Sequence, residues 1–303
     1  MSAGFRAGFV TLLGRPNTGK STLVNALVGS KVAIVTHHPQ TTRTHLLGIA
    51  NRPEGQIVLV DTPGVHHGRG HLSREMLRSV RTGLEGRDLC LFMADVTRKF
   101  GAEDQLALDL LRSPGAPAFL LLNKVDLLPN PEAALPIIDE YKKRHEFAEV
   151  IPISALKKKN LDTLVQQIIA VMPEAPPFYP EGQATDQPEQ FMIAECIREQ
   201  AMLLTREEVP HTLAVRIERD EVKKQRIGQL RVLQAVILCE RPGQKAILIG
   251  KSGEMIRQIG TAARQELEMQ LDMRVFLELH VLVRDEWRNN PRAVAELDYR
   301  KGG

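Results

Sequence analysis

The most constraining feature of the sequence is a glycine-rich segment near its start, Gly14-Arg-Pro-Asn-Thr-Gly-Lys-Ser21. The segment has the pattern GxxxxGK[ST]; it follows an apolar, β-rich run from Phe9 to Leu13 and opens a helical pattern from Ser21 to Val28. A loop of this kind wraps phosphate groups with its backbone N–H groups, and the N-terminus of the next helix adds positive potential. Strand, loop and helix in this order therefore predict a P-loop at the edge of an α/β domain.

Each residue of this loop is expected to contact a bound nucleotide. Lys20 would reach the β- and γ-phosphates, and Ser21 would ligate Mg²⁺. The predicted contact set is Gly14, Arg15, Pro16, Asn17, Thr18, Gly19, Lys20, Ser21 and Thr22.

A second motif, Asn123-Lys-Val-Asp126, predicts which base is bound. The Asp126 carboxylate can accept the N1–H and the 2-amino group of guanine, whereas adenine offers neither donor. A polar group left unpaired by the wrong base discriminates by about 10⁴-fold. Asn123 is expected to tie this loop to the P-loop, the Lys124 stem to lie along the base, and the Ser154-Ala155 segment to supply an amide for guanine O6.

A third motif, Asp61-Thr-Pro-Gly64, follows the predicted strand from Gln56 to Val60. Asp61 would hold Mg²⁺ through water, and the Gly64 amide would sense the γ-phosphate. Thr42, in the polar loop after Val35, is the candidate for a further Mg²⁺ and γ-phosphate contact, with Thr41 as its rival. The predicted metal set is Ser21, Thr42 and Asp61.

The order of the predicted elements divides the chain into two parts. Strand-like runs alternate with helical patterns through the first part, which predicts a mostly parallel sheet with helices on both faces. We place this domain at residues 1–173. Residues 174–190 are rich in proline and predict a linker, because neither a helix nor a central strand tolerates such a density of proline. Residues 191–303 form the second domain and a C-terminal extension.

The second domain has the predicted order α-β-β-α-α-β, with Gly250-Lys-Ser-Gly253 between two helices, Lys245–Ile249 and Glu254–Leu271. Glycines at both ends of the loop permit the backbone to approach phosphates closely. Apolar residues beside the loop are expected to form a groove for bases, and basic residues to line its edge. The groove candidates are Ile249, Ile256 and Ile259, and the basic candidates are Arg241, Lys245, Lys251 and Arg257, with Ser252 adding a hydroxyl group.

Composition sets the remaining limits. The chain has 303 residues and a net charge of +3. From Val222 onward, 15 Lys and Arg stand against 10 Asp and Glu, a net of +5 that fits an RNA contact without requiring one. Cys90, Cys196 and Cys239 form no CxxC pair, so we expect buried thiols in a reducing compartment. The sequence shows neither a secretory signal nor an apolar run of the roughly 20 residues that a membrane span needs.

Together, GRPNxGKST, QTTR, DTPG and NKVD resemble the Era family of bacterial GTPases, and the GKSG loop between helices resembles a type II KH domain. KH domains clamp single-stranded RNA with a GxxG loop. The resemblance covers nearly the whole chain and implies a GTP-dependent assembly factor for the small ribosomal subunit. It also implies that the chain binds the 3′ end of 16S rRNA through Ile249–Gly253 and Arg257. The implied ligands are GTP, GDP and Mg²⁺, and the implied oligomeric state is a monomer. Its implied location is the cytoplasm, with part at the inner face of the membrane.

One position departs from the common GTPase pattern. Val65 stands after the DxxG motif, where a glutamine often orients the attacking water. Intrinsic hydrolysis is therefore expected to be slow or to use another device. In several relatives the P-loop asparagine ligates K⁺, so Asn17 is a candidate K⁺ ligand, and Lys20, Thr42 and Gly64 are the other predicted hydrolysis residues.

Two alternatives stay open from the sequence. The C-terminal domain could instead hold a protein or lipid partner in a GTP-regulated switch. Histidines in the loop after Val35 and in the loop after Gly64 raise the idea of a zinc site. Because both loops should move with nucleotide state, solvated histidines are expected instead. They are His37, His38, His66, His67 and His71.

Overall fold

The computed structural model describes residues 4–38, 41–42, 45–66, 71–111, 116–225, 228–290 and 293–294 of the chain. The chain divides into two compact units. Nearly all of the chain up to Asp186 belongs to the first unit, and the second is built mainly from the chain that begins at Gln187. His67 lies outside the described residues.

The described part of the first unit contains a six-stranded sheet in the order β2-β3-β1-β4-β5-β6. All neighbouring strands pair in parallel except β2, which pairs antiparallel with β3. The strands are β1 (Arg6–Leu13), β2 (Leu46–Arg52), β3 (Gly55–Asp61), β4 (Leu89–Asp95), β5 (Ala118–Asn123) and β6 (Glu149–Pro152).

The helices of the first unit follow the strands as crossover connections. They are α1 (Lys20–Val28), α2 (His71–Leu84), α3 (Ala102–Leu111), α4 (Leu135–Lys142) and α5 (Leu161–Val171). Strands β3, β4 and β5 are buried along their whole length, as expected for a parallel sheet covered by helices. The parallel strands bring their carboxyl ends, and with them the predicted motifs, to one edge of the sheet.

Several element boundaries differ from the sequence prediction. Strand β2 and helix α2 were not predicted. The sequence pattern predicts one helix from Ala133 to His145. The observed helix is shorter, because the chain first makes a 3-10 turn, Pro131–Ala134, before α4 begins. A proline in the first turn of α4 suits that position, since its missing N–H would have no helical partner there.

The proline-rich segment 174–190 is more ordered than a linker prediction implies. The side-chain oxygen of Gln56 accepts hydrogen bonds from the backbone N–H groups of Phe178 and Tyr179, at 2.8 and 3.0 Å. The Gln56 amide in turn donates to the Tyr179 carbonyl at 2.9 Å. Because the first unit extends to Asp186, most of this segment belongs to it. The domain boundaries themselves stay predictions.

The second unit has the predicted α-β-β-α-α-β order, with one further short helix. Its elements are α6 (Glu189–Leu204), α7 (Val209–Thr212), β7 (Ala214–Lys224), β8 (Gln229–Cys239), α8 (Pro242–Ile249), α9 (Glu254–Leu271) and β9 (Arg274–Val283). Strand β8 lies in the centre of a three-stranded sheet, antiparallel to β7 and parallel to β9. The sequence pattern predicts the first strand of this unit from His211 to Arg219. The observed strand β7 begins later, at Ala214, because the chain from Val209 makes helix α7.

The three cysteines are buried free thiols, as predicted. From the sequence, Trp287 is expected to be a packing residue and not a stacking platform for bases. It is buried, and its indole N–H donates to the Thr212 carbonyl at 2.9 Å, as a packing role requires. Within the described residues, no helix has the length and apolar character needed to cross a bilayer.

Candidate nucleotide-binding site and GKSG loop

The glycines of the P-loop are required by close packing. A Cβ atom on Gly14 would lie 2.5 Å from the carbonyl oxygen of Met93, and one on Gly19 would lie 2.3 Å from the side-chain nitrogen of Asn123. Gly19 also has a φ of +98°, in the left-handed region that side chains disfavour. The loop can therefore pass between β1, β4 and β5 only with glycine at these two places.

The P-loop lysine lies along its own loop. Lys20 Nζ donates to the carbonyls of Gly14 and Arg15, at 3.1 and 3.0 Å. Burial lowers the pKa of Lys20 to about 8, although the negative charges of Asp61 and Glu103 act in the opposite direction. Its expected contact with the β- and γ-phosphates stays a prediction.

The three predicted metal ligands meet at the start of α1. Ser21 Oγ donates to Asp61 Oδ2 at 2.6 Å, and Thr42 Oγ1 lies 3.0 Å from Ser21 Oγ and 3.4 Å from Asp61 Oδ2. Burial raises the pKa of Asp61 to about 6, against the opposing effects of Ser21, Lys20 and Thr42. Asp61 Oδ1 is buried and has no hydrogen-bond partner among the described residues. Two hydroxyls and a carboxylate with an unused oxygen suit a hard divalent cation such as Mg²⁺.

Thr42 and Thr41 are separated by their contacts. Thr41 Oγ1 donates to the His38 carbonyl and lies near Thr36 Oγ1, both at 2.7 Å, whereas Thr42 faces Ser21. The arrangement favours Thr42 as the metal ligand over its rival.

No group of three His, Cys, Asp or Glu side chains with metal-binding geometry occurs within the described ranges.

The DxxG loop packs tightly against the P-loop. A Cβ atom on Gly64 would lie 2.6 Å from the Cα of Pro16. The next residue, Val65, donates its backbone N–H to the Gly14 carbonyl at 3.0 Å and is fully buried in the core cluster that includes Leu13. Val65 is therefore a core residue. The sequence pattern, in which a glutamine often follows DxxG, did not predict this role.

Asn123 links the two loops that the sequence predicted it would link. Its side-chain N–H donates to the Thr18 carbonyl at 2.7 Å, and its oxygen accepts the Ala155 N–H at 2.9 Å. The segment that contains Ser154 and Ala155 was predicted to supply an amide for guanine O6. If that amide is the Ala155 N–H, the base would have to share it with Asn123. Ser154 Oγ accepts the N–H of Lys157 at 3.1 Å.

The predicted base-contacting residues differ in their surroundings. Asp126 is exposed, so its carboxylate can accept from a base. Lys124 Nζ lies 2.6 Å from Asp95 Oδ2 at the end of β4. Burial acts to raise the pKa of Asp95, but hydrogen bonds from Lys124 and Thr97 outweigh it and hold the pKa below its usual value. Sequence reasoning missed Asp95. The sequence predicts a strand from Asp88 to Ala94, and the position of Asp95 directly after it was a usable signal.

In the second unit, the GKSG loop joins α8 to α9 through a single 3-10 turn, Lys251–Gly253. Gly250 has a φ of +71°, and a Cβ atom on it would lie 2.7 Å from the Cβ of Met255. Ser252 and Gly253 also have positive φ values, +53° and +79°. Lys251 and Ser252 are exposed at the loop tip. The loop thus presents its backbone and a cation to solvent, as a phosphate-clamping loop needs.

The prediction for one residue of the base groove beside the GKSG loop is wrong. Ile259 is fully buried in the core of the second unit, because it faces the sheet from the second turn of α9, and it cannot contact a base. Ile249 and Ile256 are half-buried at the edge of the same core, and Arg257 is exposed. Ile247, on α8, is 48% exposed and was not singled out from the sequence.

Comparisons with known proteins agree with this arrangement. Residues 9–124 match a family model described as 50S ribosome-binding GTPase, and residues 208–288 match a KH-domain model. The protein called GTPase Era of Geobacter metallireducens is 43% identical over 295 residues, which are 97% of this chain and 98% of the relative. GTPase Era of Xylella fastidiosa is 44% identical over 298 residues, with coverage of 97% and 98%.

Two solved structures match over the same extent. One is a crystal structure of Era in complex with MgGDPNP and nucleotides 1506–1542 of 16S ribosomal RNA, with a TM-score of 0.93 and 40% identity; the match covers 97% of this chain and 99% of that one. The other is a variant of Aquifex aeolicus Era bound to GDP·AlF4⁻, with a TM-score of 0.92, 40% identity and the same coverage. With this similarity over both units, the chain belongs to the Era family of GTPases, each built from a P-loop GTPase domain and a KH domain.

Proposed function

We propose that this chain is a GTP-hydrolysing switch that binds the 3′ end of 16S rRNA through its KH domain and acts in assembly of the small ribosomal subunit. The observation that carries the proposal is the GKSG loop, which presents a lysine and a strained backbone between two helices in the same chain as a P-loop site. The solved Era–rRNA complex, 40% identical over 97% of the chain, supports the identity of the RNA.

In the nucleotide site, Asp126 would select guanine, and Asn123 would hold the base loop against the P-loop. Ser21, Thr42 and Asp61 would hold Mg²⁺, directly or through water. When bound, Mg²⁺ would neutralise charge on the β- and γ-phosphates. The γ-phosphate would order the loops at Thr42 and Gly64, and its loss would release them.

Hydrolysis would proceed without a glutamine at the position after DxxG. Asn17, in a left-handed turn of the P-loop at a φ of +62°, is our candidate ligand for a K⁺ ion that supplies positive charge in the transition state. The test compares hydrolysis rates in KCl and NaCl at equal ionic strength. We expect faster turnover in KCl, and an Asn17→Ala variant that loses the difference. Equal rates in the two salts would remove K⁺ from the mechanism.

RNA binding would use the backbone of Gly250–Gly253 against phosphates, with Lys251 as a point charge and Ile249 and Arg257 beside the bases. A single charge reversal in such a contact should weaken binding strongly and reduce its salt dependence. A matched control is available in Lys224, an exposed lysine at the end of β7 in the same unit.

The experiment measures fluorescence anisotropy of a labelled oligonucleotide from the 3′ end of 16S rRNA, titrated with the full-length chain at fixed salt. We expect Lys251→Asp to weaken binding by about tenfold or more and Lys224→Asp to change it little, since a hydrogen bond to a charged group is worth roughly 1.5–3 kcal/mol. Binding to anionic vesicles with no RNA binding would favour the lipid alternative. A cytoplasmic location, peripheral membrane association and a monomeric state are further expectations from the family resemblance.

A further inference from the structure

The side chain of the P-loop arginine points away from the nucleotide site and into the protein. Arg15 Nη1 lies 3.0 Å from Asp104 Oδ2, and the two side chains are 7% and 0% exposed. Asp104 lies in the first turn of α3. The Tyr141 hydroxyl, from α4, donates to Asp104 Oδ1 at 3.0 Å, and the Gly101 N–H donates to Oδ2 at 3.0 Å. We refer to Arg15, Asp104 and Tyr141 as the arginine anchor.

The arginine anchor is incompletely satisfied. Arg15 Nε and Nη2 are buried and have no hydrogen-bond partner among the described residues. A buried ion pair with unused donors is a poor device for stability, because its desolvation is only partly repaid, and apolar replacements of such pairs often fold at least as well. Burial and the Asp104 carboxylate raise the pKa of Tyr141, so its hydroxyl remains a donor. The role of the arginine anchor is therefore to be sought in the backbone that it holds in place.

The backbone held by this side chain lies between the P-loop lysine and the DxxG loop. The Arg15 carbonyl accepts from Lys20 Nζ at 3.0 Å and from Thr18 Oγ1 at 3.2 Å. On one side of it, the Gly14 carbonyl accepts the Val65 N–H. On the other side, Pro16 leaves no room for a side chain on Gly64. A shift of the Arg15 backbone would therefore move the surface that both Lys20 and Gly64 contact.

We propose that Arg15 and Asp104 are positioning residues for GTP hydrolysis, with Tyr141 holding the Asp104 carboxylate. Through these contacts, helices α3 and α4 fix the position of the P-loop segment against which Lys20 and Gly64 are aligned. The proposal rests on the GTPase activity of the family and is independent of RNA binding. Small displacements of aligned groups matter in catalysis, since an error of about 1 Å can lower a rate about 10²-fold.

A positioning role and a merely stabilising role predict different variants. In Arg15→Met/Asp104→Leu, apolar side chains replace the pair, so folding is retained but the tether to α3 is lost. In Asp104→Asn, the charge is removed and one of the two accepting oxygens becomes an NH2 group. In Tyr141→Phe, a single hydrogen bond is removed. Leu108→Ala is the matched control, because Leu108 is fully buried on the same helix and makes no part of the anchor.

The measurements on the full-length chain are kcat for GTP at saturation, Kd for GDP, and the thermal midpoint, with kinetics taken well below that midpoint. We expect kcat to fall by about 10- to 100-fold in the double variant and in Asp104→Asn, and by a few-fold in Tyr141→Phe, while GDP affinity changes by less than about threefold. Leu108→Ala should lower the midpoint and leave kcat unchanged.

Two results would overturn the proposal. One is a folded double variant, or a folded Asp104→Asn variant, with wild-type kcat. The other is a loss of kcat in Leu108→Ala as large as in Asp104→Asn, which would show that the rate follows stability and not the position of the P-loop. If the double variant fails to fold, Asp104→Asn and Tyr141→Phe decide the question. A loss of kcat much larger than the loss of GDP affinity supports positioning, and equal losses contradict it.

Discussion

Restoring the glutamine found in many GTPases should harm this protein. The Val65 side chain is fully buried, and its backbone N–H is bonded to the Gly14 carbonyl. In Val65→Gln, a side-chain amide buried in that core would cost about 1–3 kcal/mol. If the segment moves out instead, the chain loses about 1.5–2 kcal/mol of Val burial and about 1 kcal/mol for the hydrogen bond. The first route therefore costs about 1–3 kcal/mol and the second about 2.5–3 kcal/mol.

The assay combines thermal unfolding with single-turnover GTP hydrolysis. A loss of about 1–3 kcal/mol lowers the midpoint of a domain of this size by roughly 2–12 °C, at about 2–4 °C per kcal/mol. We expect kcat to stay the same or fall, because a displaced DxxG loop no longer places Gly64 beside the P-loop. Val65→Ala separates the two causes, since it removes methyl groups from the core without burying an amide.

A faster Val65→Gln enzyme with an unchanged midpoint would refute this reasoning. It would mean that residue 65 faces the nucleotide in the reacting state and that its burial among Leu13 and its neighbours does not constrain hydrolysis. A midpoint loss in Val65→Ala equal to that in Val65→Gln would instead assign the whole effect to lost apolar packing.

Three further predictions follow from the site. Asn123→Ala leaves the buried Thr18 carbonyl and Ala155 N–H without their partner, and at about 1–3 kcal/mol for each unpaired group we expect fluorescent GDP to bind about 10²-fold more weakly. Asp126→Asn should lower affinity for GDP by about 10²- to 10⁴-fold and raise affinity for xanthosine diphosphate, in competition assays. Burial raises the pKa of Asp61 to about 6, so protonation below that pH removes a metal ligand. The Mg²⁺ concentration for half-maximal hydrolysis should therefore rise as the pH falls through 6. A Mg²⁺ requirement that does not change with pH would contradict this.

Much of the nucleotide site could be predicted because its chemistry is written in contiguous motifs. Gly14–Ser21, Asp61–Gly64 and Asn123–Asp126 each follow a strand, and a parallel sheet brings the carboxyl ends of its strands to one edge. Long elements with strong periodicity were also predictable. The patterns predict a helix from Glu254 to Leu271 and a strand from Arg274 to Val283, and α9 and β9 have these bounds.

The missed features depend on contacts distant in sequence. Asp95 and Asp104 lie in different elements from Lys124 and Arg15, and only folding shows that each acidic residue meets its basic partner. Val65 follows a motif that suggests a solvent-facing loop, yet its burial is decided by packing between the sheet and helix α2. Pattern alone cannot supply such pairings, because local sequence carries no record of which distant element lies opposite.

The most direct test of the central claim is the affinity of the full-length chain for the 3′-end oligonucleotide of 16S rRNA, measured with a non-hydrolysable GTP analogue and then with GDP. We predict tighter binding with the analogue, an equal gain in analogue affinity when RNA is present, and loss of both in Lys251→Asp. Equal RNA affinity in the two nucleotide states, unchanged by Lys251→Asp, would contradict it.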